Sequence, residues 1–352
     1  MKKILIIGLA CVIFLAAGAA ILGYLIFLQP QSESTASEKQ VIIPPGSSIT
    51  EIAAILRRSA LVRRPQFFIF AARLSGDDKH LKAGKFSLPG GANNRELLKI
   101  LSSGHKQVHE KITIPEGITS RRIASLFARQ ADIDSVEFVT LVSDSGFVQA
   151  LGIEAPSLEG YLFPETYYLP WGITSREAIA FMVDHFNNQL PDSAESKARL
   201  LGLSLHEIVT LASIIEGEAM VDAERRTIAA VYHNRLRKGI RLQADPTIQY
   251  IIPDGPRRLL NADLQIDSPY NSYLYAGLPP GPINNPGQKS LEAALNPLDV
   301  PYLYMVARGD GSHIFSTTLA EHNKAHRAFN RYRREVARKK KQKAGNGGNG
   351  KK

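Results

Sequence analysis

An uncharged, strongly apolar run near the N-terminus limits how this chain can fold. The run covers 25 residues, 4–28, and at 1.5 Å rise per residue such a helix exceeds the roughly 30 Å hydrocarbon core of a bilayer. It is longer than the apolar region of a cleaved signal peptide, and residues 24–28 (Tyr-Leu-Ile-Phe-Leu) contain no small-residue cleavage site. We therefore predict a retained transmembrane helix at 4–28, with a cleaved signal peptide as the alternative.

Charges on either side of this run predict its orientation. Lys2 and Lys3 precede it, whereas the polar linker that follows carries Glu33 and Glu38. Positive residues favour the cytoplasmic side of a membrane. We therefore predict a single-pass protein of the inner (cytoplasmic) membrane with residues 1–3 in the cytoplasm and the rest in the periplasm or its extracytoplasmic equivalent.

The positive charge of the chain is concentrated at its C-terminus. The formal net charge is +10, and residues 331–352 hold ten Lys and Arg residues against the single acid Glu335. The rest of the chain is therefore nearly neutral, unlike a domain with a basic nucleic-acid-binding face. We predict a basic disordered tail at 331–352 and no nucleic-acid partner.

A strand–turn–helix pattern occurs three times after a polar linker at 29–40. Its turns are Ile43-Pro-Pro-Gly46, Leu88-Pro-Gly-Gly91 and Ile114-Pro-Glu-Gly117. In the helices that follow, equivalent positions hold the apolar residues Ile52, Leu97 and Ile123, and the expected N-caps are Ser48, Asn94 and Ser120. These units resemble LysM-like modules of cell-wall proteins, with a generic α+β packing unit as the alternative.

The predicted domains follow from these segments. A LysM-like module covers 41–107, and a second strand–turn–helix module with connecting helices covers 108–195. Within the latter, residues 156–168 are rich in aromatic side chains and include Glu159 and Glu165. Such a loop suits either the faces of sugar rings or a packed corner with half-buried tyrosines.

A helix that ends in two acids begins the third domain, at 196–330. Ser204 and Glu207 have the spacing of a capping box that starts the helix. Apolar residues recur at spacings of three and four, at Ile208, Leu211, Ala212 and Ile215. Glu216 and Glu218 lie at the C-terminal end, where negative charge opposes the helix dipole. Helix stability therefore does not explain these acids.

The rest of this domain predicts a mixed α and β fold. Asp222 is placed to cap a helix at 223–238, which Gly239 would end. Loops rich in Pro and Gly follow, and then a hairpin near 301–317 and a closing helix at 321–338. The overall class is therefore α+β, with an N-terminal transmembrane helix, LysM-like modules and a mixed catalytic domain.

Few kinds of chemistry fit the residues present. The sequence has no phosphate-binding Gly-rich loop, no GxSxG elbow and no His/Cys cluster at metal-ligand spacing. His322 and His326 are four residues apart, but a solvated helix face explains them better than a metal site. We expect no metal and no cofactor, and the remaining chemistry is acid–base work by a carboxyl group.

Several motifs together resemble the YceG-like family of endolytic murein transglycosylases, from the anchor to about residue 330. In order they are Leu211-Ala-Ser-Ile-Ile-Glu-Gly-Glu218, Ala223-Glu-Arg225, Asn234-Arg-Leu236, Arg241-Leu-Gln-Ala-Asp-Pro-Thr247, Tyr270-Asn-Ser-Tyr273, Gly277-Leu-Pro-Pro-Gly281, Pro301-Tyr-Leu-Tyr304 and His322-Asn-Lys324. Between and after the two acids, many relatives have Lys and Thr where this chain has Gly217 and Ala219.

The resemblance implies an activity and a catalytic residue. Family members cleave the MurNAc–GlcNAc β-1,4 bond of peptidoglycan within glycan strands, without water, and leave 1,6-anhydro-MurNAc ends. The family's catalytic glutamate maps onto Glu218, which would act first as general acid and then as base. Helical spacing permits this choice over Glu216 but does not make it. A glycan-polymerising synthase is the implied partner, so the enzyme would end nascent strands.

The remaining predictions concern substrate contacts and rival functions. Side chains suited to sugar hydroxyl and N-acetyl groups are Gln243, Asp245, Tyr270, Asn271, Tyr273 and Glu216. One rival function is a hydrolytic muramidase that uses Glu216 or Glu224 as its second carboxylate. The other is a non-catalytic peptidoglycan-binding scaffold built on the LysM-like region.

Overall fold

The computed structural model describes residues 2–30, 37–253 and 255–346. Within these residues, α-helices are combined with three two-stranded sheets, which confirms the predicted α+β class. The chain forms two compact units. The first comprises Met1–Ile112 and Tyr167–Ile173, and the second comprises Thr113–Thr166 and Thr174–Lys352. The predicted boundary at 195/196 falls inside the second unit.

The N-terminal apolar run is helical. Helix α1 (Lys2–Gly23) continues into a π-helical turn, Tyr24–Leu28. The segment Ile6–Leu28, 23 residues long, is long and apolar enough to cross a membrane. A signal sequence can meet the same criteria of length and composition, so retention and orientation of the helix stay predictions. Residues 31–36 of the predicted linker lie outside the described residues.

The first unit is a small α+β arrangement around one core. Its elements are β1 (Glu38–Ile43), α2 (Ile49–Arg58), α3 (Pro65–Ser75), β2 (Gly84–Pro89), α4 (Asn94–Ser103) and most of the sheet formed by β3 (His109–Thr113) and β4 (Thr166–Pro170). Strand β1 runs antiparallel to β2 with Val41 opposite Phe86. Both side chains enter a core of aliphatic and aromatic residues from α2, α3 and α4.

The repeated pattern is confirmed at its apolar positions and partly corrected at its caps. Ile52, Leu97 and Ile123 are all buried. Ser48 forms the predicted cap, as part of a capping box with Glu51.

The other two predicted caps are wrong by one residue. Asn93 caps α4, and the neighbouring Asn94 is buried, where its amide donates to the Ile26 carbonyl at 2.7 Å. Thr119 precedes α5 without a side-chain cap, and the first amide of the helix, that of Ser120, is bound by a carboxylate from elsewhere in the chain.

The second unit is mainly helical. Its elements are α5 (Ser120–Gln130), α6 (Ser135–Val142), α7 (Ser145–Ala150), α8 (Ser175–Gln189), α9 (Ala194–Leu200), α10 (Leu205–Glu218), α11 (Arg225–Arg237), α12 (Asp245–Ile251), α13 (Gln288–Leu295), β5 (Tyr304–Ala307), β6 (His313–Ser316) and α14 (Leu319–Asn346). Strands β5 and β6 form the predicted hairpin, with Met305 opposite Phe315.

Helix α10 is the centre of this unit. The predicted capping box is present, with Ser204 and Glu207 each accepting from the other's backbone amide. The predicted apolar stripe is buried, but Val209 and Ile214, outside the stripe, are also fully buried. Helices α9, α11, α12 and α13 contact α10. The helix is therefore a core helix rather than an amphipathic surface helix.

Hydrogen bonds within α10 and to a distant loop satisfy the polar groups around Ser213, which permits this burial. The Ser213 hydroxyl donates to the Thr210 carbonyl at 2.7 Å and accepts from the Ile283 amide at 3.0 Å. The Asn284 amide donates to the Ser213 carbonyl at 2.8 Å. The loop at 283–284 is thereby attached to the last turns of α10.

Three further predictions about this unit have clear outcomes. Helix α11 begins at Arg225 after a 3-10 turn, and Asp222 pairs with Arg225 and Lys289 instead of capping it. Gly239 follows α11 with φ of 65°, the left-handed conformation expected of a residue that ends a helix. Helix α14 extends to Asn346, through much of the predicted disordered tail; residues 347–352 lie outside the described residues.

Complete burial of α10 predicts the effect of truncating its side chains. Ile214→Ala should lower the free energy of unfolding by about 2–5 kcal/mol, because it leaves a cavity in the core. Leu200→Ala, at a side chain that is 88% exposed, is the matched control and should change it by less than about 0.5 kcal/mol. Urea unfolding followed by circular dichroism measures both, and equal small effects would contradict the burial.

Candidate active site

A cleft of about 1150 Å³ lies in the second unit. It is lined by the start of α5, the C-terminal end of α10, much of α12, and loops that include residues 157, 159, 253, 255, 256, 266–268 and 283–284. Its lining includes four carboxyl groups, those of Glu159, Glu218, Asp245 and Asp267. The size exceeds that of most small-molecule pockets, roughly 300–1,000 Å³, so the cleft has room for a segment of a polymer.

Glu218 is the last residue of α10 and is half-buried at the wall of this cleft. The Tyr232 hydroxyl, from α11, donates to its Oε1 at 3.0 Å. The backbone amide of Asp245, the first residue of α12, also donates to the carboxylate. Three helices of the core therefore hold this carboxyl in place, while part of it stays accessible from the cleft.

The surroundings of Glu218 favour its protonated form. Burial, the largest cause, and the negative charge of Asp245 raise the pKa of Glu218 to about 7. The hydrogen bond from Tyr232, the charge of His313 and the Asp245 amide act in the opposite direction and lower this pKa. A carboxyl group with such a pKa can give up a proton near neutral pH, as a general acid must.

Glu216, two residues earlier, lies in a different environment. Its side chain is only 7% exposed and forms an ion pair with Arg225 at 3.0 Å. The backbone amide of Gly287 donates to the same oxygen at 3.1 Å. Glu216 lies outside the cleft lining. The two acids that the sequence could not distinguish therefore differ in geometry.

Gly217, between the two acids, allows close packing. A Cβ atom at this position would lie 2.6 Å from the Cβ of Pro246, which is far inside van der Waals contact. Pro246 follows Asp245 in α12 and lines the cleft. The glycine that departs from the family pattern therefore lets α12 approach the end of α10.

Of the six predicted substrate contacts, Asp245 is the one in the cleft lining. Its Oδ1 accepts a hydrogen bond from the Tyr273 hydroxyl at 2.6 Å, so Tyr273 reaches the site through Asp245. Gln243 is exposed and has a φ of 49°. Tyr270 is half-buried and packs against Tyr250, with ring centroids 5.0 Å apart. Sugar contacts by these residues stay predictions.

Asn271 has bonds that favour a structural role. Its side chain is fully buried, and its amide donates to the carbonyls of Leu264 at 3.1 Å and Ile266 at 2.8 Å. Its Oδ1 accepts from the Tyr273 amide at 2.9 Å. A sugar contact would require these bonds to break, which makes Asn271 a brace for the loop that carries Tyr273.

The aromatic segment 156–168 is a packed corner over most of its length. Residues 158–163 are all buried, and the Tyr161 hydroxyl bonds to the His206 ring at 2.8 Å. Tyr168 is the exposed aromatic side chain of the segment. Of the two alternatives left open by the sequence, this geometry favours the corner.

The same segment brings a second carboxyl group with a raised pKa to the cleft. Burial raises the pKa of Glu159 to about 7, although hydrogen bonds from Ser120 and Asn285 lower it. The Ser120 amide and hydroxyl donate at 3.0 and 2.8 Å, and the Asn285 amide donates at 2.8 Å. The sequence indicated a glutamate among aromatic residues in this segment. It did not indicate that Ser120 and Asn285 bind this glutamate.

Asn285 joins three segments of the chain next to the site. It is fully buried, and its Oδ1 accepts from the amides of Gly160 and Leu162 at 2.9 and 3.0 Å. Its Nδ2 donates to the Ile118 carbonyl at 3.0 Å as well as to Glu159. All polar atoms of this side chain are used, so it fixes the relative positions of residues 118–120, 159–162 and 285.

Glu224, the other acid proposed for hydrolysis, also has partners. Both of its oxygens accept from the His313 amide at 3.0 Å, and one bonds to the His313 ring at 2.8 Å. Among the described residues no group of three or more His, Cys, Asp and Glu side chains is placed to hold a metal ion. The expected absence of a metal stays a prediction.

Comparisons with known proteins agree with the motifs. The chain is 35% identical to the endolytic murein transglycosylase of Bacillus subtilis (strain 168), over 88% of this chain and 90% of that protein. It is 30% identical to the endolytic murein transglycosylase of Streptococcus pneumoniae serotype 2, over 87% of this chain and 61% of that protein. The crystal structure of a yceG-like protein of Listeria monocytogenes is similar, with a TM-score of 0.57 and 34% identity, covering 82% of this chain and 98% of that one.

The family comparison covers most of the chain. The model of the YceG-like family matches residues 41–328, which include parts of both units and every residue of the candidate site. This match confirms the resemblance predicted from the motifs. The chain therefore belongs to the YceG-like family.

Proposed function

We propose that this protein is an endolytic lytic transglycosylase that cleaves peptidoglycan glycan strands and leaves 1,6-anhydro-MurNAc ends. The observation that carries this proposal is Glu218, a half-buried carboxyl with a pKa raised to about 7, in the wall of a polymer-sized cleft. Membership of a family whose relatives are named endolytic murein transglycosylases supports the same conclusion.

A single carboxyl group can perform both steps of the proposed reaction. The protonated Glu218 donates its proton to the glycosidic oxygen, and the bond from that oxygen to C1 of MurNAc breaks. The C6 hydroxyl of the same MurNAc then attacks C1, and its proton passes to the Glu218 carboxylate. The new C6–O–C1 bond closes the anhydro ring, and Glu218 is again protonated without any water having been consumed.

The environment of Glu218 suits both halves of this cycle. Burial and the charge of Asp245 favour the neutral acid before cleavage, whereas the hydroxyl of Tyr232 stabilises the carboxylate that forms during it. Tyr273 holds the Asp245 side chain through a 2.6 Å hydrogen bond. We therefore assign Asp245 the task of keeping the pKa of Glu218 high and of contacting the sugar beside the scissile bond.

The hydrolytic alternative has less support. It requires a second carboxylate that is free to activate water or to act as a nucleophile. Glu216 is occupied by Arg225 and Gly287, and Glu224 by His313. A non-catalytic peptidoglycan-binding scaffold would not need a carboxyl group with a raised pKa at Glu218.

The remaining parts of the proposal concern location and partners. We propose that residues 4–28 are retained as a single-pass anchor of the cytoplasmic membrane, with residues 1–3 in the cytoplasm and the cleft outside. Residues 41–107 would form a LysM-like module, and the domains predicted at 108–195 and 196–330 would complete the enzyme. A glycan-polymerising synthase that supplies nascent strands is the proposed partner.

Product analysis with two matched variants tests the catalytic assignment. Glu218→Gln keeps the shape of the side chain but removes the proton donor, so the full-length protein should lose at least about a hundredfold in the rate of anhydro-end formation from purified sacculi. Glu216→Gln should retain more activity, provided that its melting temperature stays close to that of the wild type. Mass spectrometry separates anhydro from reducing ends.

The opposite pattern, in which Glu216→Gln alone abolishes anhydro products, would reassign the catalytic role. Reducing ends from the wild-type protein would instead establish the hydrolase. Binding of sacculi without any cleavage would establish the scaffold.

The pH dependence of kcat/KM should change in opposite directions in two variants. A general acid with a pKa of about 7 loses activity as the pH rises through that value, because its proton is lost. Tyr232→Phe removes a hydrogen bond that lowers the pKa of Glu218, so the alkaline limb should move to higher pH. Asp245→Asn removes a charge that raises it, so the limb should move to lower pH. Shifts in the same direction would contradict this assignment.

The mass of the mature protein tests the anchor. A retained helix predicts that the protein extracted from membranes keeps residues 1–28, so its intact mass should correspond to the whole chain. Recovery of a shorter form that begins after residue 28 would establish the cleaved signal peptide instead.

A further inference from the structure

Two arginines lie in the first turn of α5, where helix stability does not require them. Arg121 and Arg122 follow Ser120, the first residue of the helix, and positive charge is unfavourable at a helix N-terminus. Both residues are exposed. Among the described residues, neither guanidinium forms an ion pair or a side-chain hydrogen bond. Their charge is therefore available to a ligand.

Both arginines line the same cleft as Glu218. The positive charge of Arg121 lowers the pKa of Glu159 and that of Tyr250, two other residues of the cleft lining. Glu159 does not neutralise the pair, because its carboxyl group is buried against Ser120 and Asn285. The cleft thus has an acidic catalytic end and an exposed basic end.

Helix α12 lines this cleft from Asp245, next to Glu218, to Tyr250 and Ile251. Its first residue, Asp245, contacts Glu218. Tyr250 lies five positions later, and the charges of Glu159 and Arg121 both affect its pKa. Five residues of α-helix span about 7.5 Å. An anionic group that binds Arg121 and Arg122 must lie in the same cleft, away from the reacting bond of a ligand held at Glu218.

The substrate carries such a group. In peptidoglycan the MurNAc whose C1 is cleaved also bears, on the lactyl group at C3, a peptide stem with free carboxylates. Guanidinium groups bind carboxylates through paired, charge-assisted hydrogen bonds. We propose that Arg121 and Arg122 bind the stem-peptide carboxylates of the MurNAc at the scissile bond, so that stem-bearing strands are the preferred substrate. This inference rests on the proposed function and adds the recognition of the stem to it.

The test compares two substrates that differ in stem charge alone. Glycan strands with free stem carboxylates, and the same strands after amidation of those carboxylates, are given to the full-length protein and to the double variant Arg121→Gln/Arg122→Gln. On the charged strands the variant should have a KM roughly tenfold higher than the wild type, with little change in kcat. On the amidated strands the two proteins should have the same KM.

Arg129→Gln is the matched control. Arg129 is exposed in the last turn of the same helix and lies outside the cleft lining. The KM of the Arg129→Gln protein should therefore equal that of the wild type on both substrates. The proposal is wrong if the double variant has the same KM as the wild type on charged strands. An equal rise of KM on both substrates would also overturn it, since the arginines would then act on the glycan or on the fold.

The proposal and the proposed function fail in different ways. If the wild type forms no anhydro ends from charged strands, the proposed function fails. The binding of those strands to the Glu218→Gln protein then still tests the arginines: roughly tenfold weaker binding after Arg121→Gln/Arg122→Gln supports the stem contact, and unchanged binding removes it.

Discussion

The complete burial of α10 is the constraint on which the site depends. A helix surrounded by α9, α11, α12 and α13 has little freedom to shift or fray, and its last residue is Glu218. The carboxyl group is thereby fixed between Tyr232 and the start of α12, with one side open to the cleft. Rigid placement of a reacting group is the main contribution that a folded scaffold makes to catalysis.

Two carboxyl groups in one cleft have raised pKa values, and this links activity to stability. Burial raises the pKa of both Glu159 and Glu218 from 4.5 to about 7. The folded protein therefore binds more protons than the unfolded chain between these values. The stability that this proton binding contributes is fully present below pH 4.5 and is lost as the pH rises through about 7. The Glu218 carboxyl group is thus kept protonated near neutral pH at some cost in stability.

Local signals in the sequence predicted local structure well. The capping box at Ser204 and Glu207, the hairpin of β5 and β6, and the end of α11 at Gly239 each depend on neighbouring residues, and all are confirmed. The burial of α10 on every side was not predicted, because in the sequence Thr210 and Ser213 resemble a polar helix face. In the structure, hydrogen bonds from the Ile283 amide and the Asn284 side chain satisfy Ser213 and allow its burial. Contacts made across the fold decided that outcome.

The same reason explains which parts of the site were missed. Glu159 owes its position to Ser120, 39 residues earlier, and to Asn285, 126 residues later. No pattern of spacing in the sequence signals such pairs. The choice between Glu216 and Glu218 likewise depends on Arg225, Gly287 and Tyr232, which the sequence could not place around the two acids.

The central claim is that Glu218 is a carboxyl group whose surroundings keep it protonated near neutral pH. Titration of ¹³C-labelled glutamate side chains by NMR tests this directly, with Glu218→Gln used to assign the resonance. The structure predicts that the signal lost in this variant titrates with a pKa of about 7 in the wild type. A value near the ordinary 4.5 of glutamate would contradict the claim that burial prepares this residue to act as the acid.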